Sequence, residues 1–580
     1  MKKTCSFISA VIALVIILSA IPFAAFSSSA ALGEARDGVY TFERYSFPST
    51  RNGEAKITVA FRDGFFTESA YNYNHELAIA SLVAALSSEN EGPNGDSFVR
   101  AFLSGIGCEN ALTYTHKFGI CRDKNDDCAF AFGIKSIPGS DDFLLTAIMR
   151  GVGYGTEWVS NLRMYDQAYK GYAAGFRRTA EVAYNSLNDY IDSLASYGVT
   201  RDNLKVWITG YSRGAAVANN LGQMVSADGE FDPENVFVYS FATPATVHES
   251  KKGDYKNIFS ICSELDIVPR LPLAEWGYTR FGTTLYLPCA SKSGGNYASL
   301  LAGMQREFDS IMESIGRGGE YHNLPYAEQE KAIDLFFAFM NEAISSPEQY
   351  KNDGWQDILT NLLYVYESSG DDEEIVDLIL DALVPNAELL PDVKSFFEKV
   401  KDRNLLENIA AATAITAKIN IKKAKATTKR DAEILGALAD MIKGYRVCLL
   451  TERLTGGQEK STSYYYTLVT AIADIISEGT ESPLLIQHWP ETYLAWMKSA
   501  APEKLFTTAP HKITPITRPQ LIGDVNGDGD VNQADVTALN KYVLTPKKVT
   551  INKSVADVDG NGRINISDVL KLQAIVVIAK

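Results

Sequence analysis

The stretch that decides the fold runs Lys205-Val-Trp-Ile-Thr-Gly-Tyr-Ser-Arg-Gly-Ala-Ala-Val-Ala-Asn219. Its first part, from Val206 to Thr209, is apolar and β-branched, and small residues follow Gly210-Tyr-Ser-Arg-Gly214. This order predicts a strand, a sharp turn and a helix, the context that a G-x-S-x-G nucleophile elbow requires. Ser212 would then lie at a helix N-terminus, where N–H groups favour a developing negative charge. The alternative is a glycine-rich turn in which Ser212 only caps the helix.

Length, composition and charge bound the class of protein. The chain has 580 residues, too many for one ordinary domain, so we expect two or more folded units. Its 46% hydrophobic and 22% charged residues are typical of globular proteins. The formal net charge of -16 argues against nucleic acid as a partner.

The first 30 residues have the pattern of a secretory signal peptide. Two lysines precede an apolar run from Phe7 to Phe26, and Ser28-x-Ala30 offers a small-residue cleavage site. We therefore expect a secreted protein that is located outside the cell. A retained membrane anchor is the alternative, because the apolar run is somewhat long. No later segment is apolar for long enough to suggest a transmembrane segment in the mature chain.

The cysteines after this segment are sparse. None of the remaining six lies in a zinc-type C-x-x-C pair: Cys108, Cys121, Cys128, Cys262, Cys289 and Cys448. Cys121 and Cys128 flank a polar loop and could form a disulfide outside the cell. Free buried thiols agree equally well with the sequence.

Two further stretches accompany the elbow. Upstream, the apolar run from Phe143 leads into Arg150-Gly-Val152, with Trp158 and Asn161 after it, and downstream Ile258 to Cys262 leads into Asp266-Ile-Val-Pro269. Together with the elbow these stretches resemble the class 3 lipases, a branch of the α/β-hydrolases. The resemblance covers about Val39 to Pro288 and a segment near His488.

The resemblance implies an α/β-hydrolase fold and a serine ester hydrolase that needs no cofactor for catalysis. Ser212 would be the nucleophile and Asp266 the acid of a Ser-His-Asp triad. The backbone N–H groups of Val152 and Arg213 would form the oxyanion hole. The family usually has Ser or Thr at the position of Val152, so a hydroxyl donor to the oxyanion would be absent here. The substrate would be a lipid ester or an acyl or phenolic ester of the plant cell wall.

The position of Asp266 agrees with the role of the acid. It follows a strand-like run and precedes Pro269, so it is expected in a loop at the carboxyl end of a strand. Open α/β sheets bind their ligands at that edge, and a carboxylate there can orient an imidazole. A turn or capping aspartate is the alternative.

The sequence offers three candidates for the general base. With the chain order Ser, Asp, His, the candidates after Asp266 are His322, His488 and His511. His511 lies in a proline-containing linker. His488 precedes Pro490-Glu491, a helix start, and His-x-x-Glu-x-Tyr resembles the closing segment of bacterial members of the family. We favour His488 and keep His322 as the alternative.

Choosing His488 requires a large insertion. Apolar residues at helical spacing dominate residues 295–480, within a hydrolase domain that we assign to residues 31–502. Such a helical block could cover the active site as a cap, or it could serve stability alone. A basic run from Lys418 to Arg430 is interpreted as a solvated helix face, with binding of an acidic polymer as the alternative.

The end of the chain has a different composition. A Pro/Thr-rich linker, residues 503–521, precedes two copies of one pattern in residues 522–580. Each copy has oxygen side chains at loop positions 1, 3 and 5, Gly at position 6 and a carboxylate at position 12, as in an EF-hand calcium loop. The candidate Ca²⁺-binding residues are Asp524, Asn526, Asp528, Asp530 and Asp535 in the first loop and Asp557, Asp559, Asn561, Arg563 and Asp568 in the second.

Asp at position 12 and the lack of a helix before the first loop resemble type I dockerins. The resemblance implies two Ca²⁺ sites, a small all-α fold that needs calcium, and a cohesin domain of a scaffold protein as partner. Gln533, Ala534, Ile566 and Ser567 would help to select the cohesin. The sequence thus predicts a secreted ester hydrolase on a cellulosome-type scaffold; the alternatives are a non-catalytic hydrolase-fold binding module and a feruloyl or acetyl esterase.

Overall fold

The structure is a computed structural model. It describes residues 39–48, 54–89, 96–108, 114–116, 128–151, 160–317, 346–352, 388–400, 402–427, 486–508, 531–546, 551–559 and 561–578, with shorter pieces within 330–450 and 523–549. The chain forms two compact units, residues 1–514 and 515–580.

The first unit contains the strands. They are β1 (Val39–Pro48), β2 (Glu54–Arg62), β3 (Tyr114–His116), β4 (Phe130–Ser136), β5 (Phe143–Met149), β6 (Leu204–Tyr211), β7 (Val236–Phe241), β8 (Val247–His248), β9 (Ile258–Cys262), β10 (Tyr278–Thr279) and β11 (Thr283–Tyr286). Seven of them form one mixed sheet in the order β11-β9-β7-β6-β5-β4-β3. Strands β5, β6, β7, β9 and β11 are parallel, and β3 and β4 extend the sheet by antiparallel pairing.

The helices of this unit lie between and after the strands. They are α1 (His75–Leu86), α2 (Ser97–Gly105), α3 (Ala174–Ser193), α4 (Arg213–Ala227), α5 (Ala290–Ser293), α6 (Tyr297–Glu313), α7 (Pro347–Asn352), α8 (Leu390–Glu398), α9 (Leu405–Ala424), α10 (Pro490–Ser499) and α11 (Pro502–Leu505). Gly175 and Phe176 lie in the first turn of α3, which begins at Ala174.

Alternate residues of the central strands face opposite sides of the sheet. Trp207 and Tyr239 belong to one core, which includes α1, α6 and α10, whereas Val206 and Ile208 belong to a second core with α3 and α4. Helices on both faces explain why the central strands are apolar almost throughout. The sheet is thereby fixed from both sides, and its carboxyl edge is where the loops after β6 and β9 meet.

The N-terminal hairpin of β1 and β2 is anchored to the first core. Residues of β2 alternate between buried and exposed, and the Phe61 ring stacks on Trp207 with 5.5 Å between centroids. A buried cluster holds the hairpin further: Lys135 Nζ donates to Asp63 Oδ1 at 2.7 Å and to Tyr40 Oη at 2.8 Å. These contacts tie the hairpin to the antiparallel edge of the sheet.

Part of the predicted insertion belongs to the hydrolase core. The Tyr297 ring of α6 stacks on Trp496 of α10 at 6.5 Å, and Phe308 stacks on Trp489 at 6.3 Å. The basic run on α9 forms ion pairs, since Lys418 contacts Asp392 and Lys422 contacts Glu388. Those pairs agree with a solvated helix face. Much of residues 318–485 lies outside the described part of the chain, so the cap function stays a prediction.

The second unit is small and helical. Its helices are α12 (Gln533–Leu544) and α13 (Ile566–Ile578), and α12 begins three residues before Val536, where the sequence placed its start. A core of small apolar residues, among them Val525, Leu539 and Leu572, lies between the helices and the loops. Among the described residues of both units, no helix has the length and apolar character needed to cross a membrane.

Candidate active site

Ser212 occupies a strained turn between β6 and α4. Its backbone has φ 52 and ψ -122, a conformation that residues other than glycine rarely adopt, and its N–H donates to the carbonyl of Phe241 at 2.9 Å. A Cβ on Gly210 would overlap the Gly214 carbonyl, and one on Gly214 would overlap the Met149 carbonyl. Both glycines are therefore needed for the strand and the helix to approach this closely, as the sequence predicted.

The imidazole of His488 lies against this serine. Its Nε2 is 3.0 Å from Ser212 Oγ, and its Nδ1 is 2.8 Å from Asp266 Oδ2. Because a carboxylate only accepts hydrogen bonds, Nδ1 carries the proton and Nε2 is free to accept one from the serine hydroxyl. His488 lies on the loop that enters α10, where the sequence placed it, and is nearly buried.

Asp266 is fully buried and has three hydrogen-bond donors. Besides His488, the Tyr493 hydroxyl donates to Oδ2 at 2.8 Å and the Val268 N–H donates to Oδ1 at 2.9 Å. The Tyr493 hydroxyl in turn accepts from the Ser263 N–H at 3.0 Å. These contacts satisfy a buried negative charge that would otherwise be costly.

Two buried tyrosines fix the position of the imidazole. The Tyr211 hydroxyl donates to the His488 carbonyl at 2.6 Å, and the Tyr211 and Tyr493 rings meet edge to face at 5.6 Å. Burial, with the negative charge of Asp266, raises the pKa of both Tyr211 and Tyr493 well above the ordinary value. Both hydroxyls therefore stay protonated and act as donors throughout the working pH range.

Arg213 is at the first position of α4, and its side chain points away from Ser212 into the protein. The guanidinium is 2% exposed and donates to Ser160 Oγ, Asn161 Oδ1 and Thr179 Oγ1. It thus joins the segment that begins at Ser160 to α3 and the elbow. The Arg213 side chain therefore has a structural role. The Arg213 backbone N–H lies in the first turn of α4, where N–H groups have no acceptor within the helix.

The second oxyanion candidate, Val152, lies outside the described residues, but its neighbour Gly151 is described. The Gly151 N–H donates to Glu89 Oε1 at 2.8 Å, and a Cβ on Gly151 would overlap the carbonyl of Tyr211. Glu89 is 2% exposed and lies just after α1. This carboxylate fixes the Arg150–Gly151 peptide, one peptide before the one that carries the Val152 N–H.

The other sequence candidates either lie outside the described residues or have other partners. His322 and His511 lie outside the described residues, as does Cys121, while Cys128 is buried. His75 is buried away from Ser212; its Nε2 donates to the Met497 carbonyl at 2.8 Å, and Nδ1 accepts from Tyr73 Oη at 2.9 Å.

The two candidate calcium loops share one pattern of hydrogen bonds. In the first, Asp535 accepts from the Asn526 and Asn532 N–H groups at 3.1 and 2.9 Å. In the second, Asp568 accepts from the Asp559 and Asn565 N–H groups at 3.2 and 2.8 Å. The repeated sequence therefore folds into a repeated loop.

The second loop also brings carboxylates together. Ligand oxygens of Asp557, Asp559 and Asp568 lie within 4.8 Å of one another, a cluster of the kind that holds Ca²⁺. Asn561 and Arg563 are described as exposed parts of this loop, whereas Asp524, Asp528 and Asp530 of the first loop lie outside the described residues.

Sequence reasoning missed two residues of the candidate site. Tyr493 was noted only as a letter in His-x-x-Glu-x-Tyr, and its contact with Asp266 depends on a separation of 227 residues along the chain. Glu89 carried no signal, because a single glutamate after a helix is ordinary and its acceptor role becomes visible only when Gly151 is placed beside it.

Comparison with known proteins gives the class of both units. Residues 146–276 match the family model described as Lipase (class 3), and residues 522–576 match the model described as Dockerin type I domain. The chain carries a class 3 lipase domain of α/β-hydrolase fold followed by a type I dockerin, as the sequence predicted. No curated protein matches the chain.

Solved structures similar to the chain include several lipases. One, described as a triacylglycerol lipase with a serine protease triad, is 17% identical with a TM-score of 0.28, covering 37% of this chain and 81% of that one. The Rhizomucor miehei lipase propeptide complex is 19% identical with a TM-score of 0.27, covering 37% and 70%. Lipase II from Rhizopus niveus is 16% identical with a TM-score of 0.27, covering 39% and 80%.

Proposed function

We propose that this protein is a secreted serine carboxylic ester hydrolase that a calcium-binding dockerin attaches to a cohesin-bearing scaffold. The observation that carries the proposal is the hydrogen-bonded series from Ser212 Oγ through His488 to Asp266, with distances of 3.0 and 2.8 Å. The strained elbow supports it further, because a serine held in this conformation at a helix N-terminus is suited to nucleophilic attack.

The proposed reaction is acyl transfer to Ser212 and then to water. His488 Nε2 takes the hydroxyl proton as Oγ attacks the ester carbonyl, and the imidazolium formed is stabilised by Asp266. His488 then gives the proton to the departing alcohol, which leaves an acyl-enzyme. Water, deprotonated by the same histidine, releases the acid and restores Ser212.

The negative charge of each tetrahedral intermediate needs donors. The Arg213 N–H, in the first turn of α4, is one proposed donor and is favoured by the helix dipole. The Val152 N–H is the second, and the Glu89 contact would hold the adjacent Arg150–Gly151 peptide in place. Loss of one such donor typically lowers kcat by about 100- to 1,000-fold.

We place the dockerin outside the catalytic step. The Asp557, Asp559 and Asp568 cluster fits a hard cation that prefers oxygen ligands, and the same residue types recur in the first loop. Bound Ca²⁺ would hold each loop against its helix. A cohesin on α12 and α13 would then raise the local concentration of the enzyme near a polysaccharide-bound substrate.

Two classes of substrate fit the proposed reaction: lipid esters, and acyl or phenolic esters of plant cell walls. The dockerin favours the cell wall, because attachment to a scaffold concentrates the enzyme there. A chain-length series of p-nitrophenyl esters, together with feruloylated and acetylated oligosaccharides, tests the choice. The preferred ester is the one with the highest kcat/KM.

Three variants test the catalytic proposal. Ser212→Ala and His488→Ala should each remove nearly all hydrolysis of a short p-nitrophenyl ester, whereas His322→Ala should retain it. If His488→Ala is active and His322→Ala is inactive, His322 and not His488 is the general base. No turnover of any ester by the unmodified protein would favour a non-catalytic binding module instead.

A further inference from the structure

A polar cavity lies beside the loop that carries Asp266. It has a volume of about 440 Å³ and is lined in part by Ser263, Glu264 and Tyr286, which follow β9 and end β11. Small-molecule sites have volumes of roughly 300–1,000 Å³. The cavity thus has the size of a ligand site and lies at the carboxyl edge of the sheet, where ligands of α/β sheets bind.

The distinctive residue of this cavity is Arg280. It is 5% exposed, and its guanidinium donates through Nε to the Thr243 carbonyl and through Nη2 to the Pro269 carbonyl. Within the described part of the chain, no carboxylate forms an ion pair with it. The carboxylate of the neighbouring loop, Asp266, is occupied by His488, Tyr493 and Val268.

The carboxylates of the cavity wall are engaged elsewhere or are exposed. Glu264 forms an ion pair with Lys292, and Glu330 accepts from the Ser291 N–H. Glu275 is exposed to solvent. Among the residues that the structure describes, carbonyl dipoles and no carboxylate match the charge of this buried cation, which is costly, so an anion entering the cavity would be stabilised at Arg280.

The lining also restricts which anion fits. Glu264, Glu275 and Glu330 would repel a doubly charged phosphate, whereas a single carboxylate suits the planar donors of a guanidinium. Tyr286 and Phe337 add aromatic rings to the wall, and each ring has a cation against one face: the Arg270 guanidinium is 4.3 Å from the Phe337 centroid, and Lys292 Nζ is 5.6 Å from the Tyr286 centroid. These surfaces favour a ligand that carries a ring.

We infer that the Arg280 cavity is a binding site for a ring-bearing monocarboxylate, separate from the catalytic serine. Two sources supply this chemistry: an acidic sugar unit of a polysaccharide and a phenolic acid released from an ester. The cavity binds the carboxylate at the Arg280 guanidinium and the ring against the aromatic wall. Binding requires no covalent step.

Calorimetric titration of the full-length Ser212→Ala variant tests this inference without interference from turnover. Glucuronate represents the sugar acid and ferulate the phenolic acid, with their methyl esters as uncharged controls. We expect at least one acid to bind, and its methyl ester to bind about tenfold more weakly, as befits the loss of a hydrogen-bonded charge. Which acid binds identifies the source.

Variants locate the binding. Arg280→Gln should weaken binding of the acid about tenfold or more, and Arg280→Lys should restore part of it. Arg270→Gln changes another residue of the lining and leaves both carbonyl contacts of Arg280 intact, so it replaces Arg280→Gln if that variant fails to fold. It should weaken binding of the acid severalfold. Lys252→Gln, a charge change outside the cavity lining, should have no effect.

Three results would overturn the inference: no binding of either acid, equal binding of acid and methyl ester, or unchanged binding in folded Arg270→Gln and Arg280→Gln. None of these bears on ester hydrolysis, which is measured separately in the protein with Ser212 intact. Failure of the Ser212 experiment would likewise leave the Arg280 cavity untouched.

Discussion

At the scale of single residues, Tyr493 is the most informative addition to the candidate triad. Its hydroxyl donates to Asp266 Oδ2, the oxygen that also accepts from His488 Nδ1. Two donors share one carboxylate oxygen, so each reduces the negative charge that the other meets. Tyr493 is thus a positioning residue for Asp266, and through it for His488.

We predict that Tyr493→Phe lowers kcat/KM by about tenfold, the effect of one hydrogen bond to a charged group. Without this donor, Asp266 loses one of the contacts that hold its carboxylate against His488 Nδ1. Initial rates on a short p-nitrophenyl ester over a range of substrate concentrations measure the loss.

The matched control is Tyr184→Phe. The Tyr184 hydroxyl, on α3, donates to Asp228, the residue that follows α4. It should leave kcat/KM unchanged. A folded Tyr493→Phe variant with the kcat/KM of the unmodified protein would contradict the assigned role.

Residue-level roles were predictable only where they follow from local sequence. Ser212 and its flanking glycines were predicted because the strand, turn and helix are contiguous. The choice of His488 over His322 rested on a helix start at Pro490, and its contact with Ser212 spans 276 residues of chain. The inward direction of the Arg213 side chain could not be predicted, since it depends on Ser160 and Thr179, which lie on separate segments.

At the scale of elements, the elbow depends on close packing of β6, α4 and β5. Gly214→Ala would place a Cβ against the Met149 carbonyl, a backbone atom that cannot move cheaply. We predict a loss of at least about 2 kcal/mol in the free energy of unfolding, measured by denaturant titration, together with a large loss of activity.

Gly295→Ala provides the comparison, because a Cβ at Gly295 meets nothing within 4 Å and the residue does not have a positive φ. It should change stability by less than about 0.5 kcal/mol. Equal stability of the two variants would show that the elbow tolerates a side chain and that the packing argument is wrong.

The contact between α1 and α10 predicts a pH effect on stability. Burial lowers the pKa of His75 to about 4, and the hydrogen bond to the Met497 carbonyl, which by itself raises the pKa, offsets only part of this effect. The unfolded chain, with a pKa near 6.5, takes up this proton first, so stability is fully present above pH 6.5 and falls as the pH approaches 4. The loss from this group is on the order of 3 kcal/mol.

Chemical denaturation of the protein and of His75→Gln at several pH values measures this effect. The glutamine can still donate to the Met497 carbonyl but does not titrate, so its stability should fall less between pH 6.5 and 4. Identical pH dependence in both proteins would exclude His75 as the source.

At the scale of the whole molecule, the chain consists of two units with separate requirements. The second unit has a small core, and the loops beside its helices hold clustered carboxylates that repel one another without a cation. We predict that a chelator removes the folding transition of residues 515–580 in calorimetry and leaves that of the first unit. Ester hydrolysis should be unaffected.

Asp568→Asn supplies the variant for this experiment, since Asp568 closes the second loop. It should lower the Ca²⁺ affinity of that loop and weaken cohesin binding, while Asp141→Asn on the first unit should do neither. A second unit that remains folded in chelator would contradict the calcium requirement.

The two-unit organisation was visible in the sequence because a Pro/Thr-rich linker and two loop copies mark it directly. The family matches confirm the class of both units. The helical insertion was harder to interpret: periodicity predicts helices but says nothing of the surface on which they pack. The stacking of α6 on α10 shows that at least the first helix of the block contributes to the hydrolase core.

The central claim is that Ser212 is an activated nucleophile. The most direct measurement is mass spectrometry of the protein after reaction with a fluorophosphonate, which modifies only activated serines. The account predicts one adduct per chain, on the peptide that contains Ser212, and its loss in His488→Ala. An unmodified Ser212, or an adduct on another serine, would contradict it.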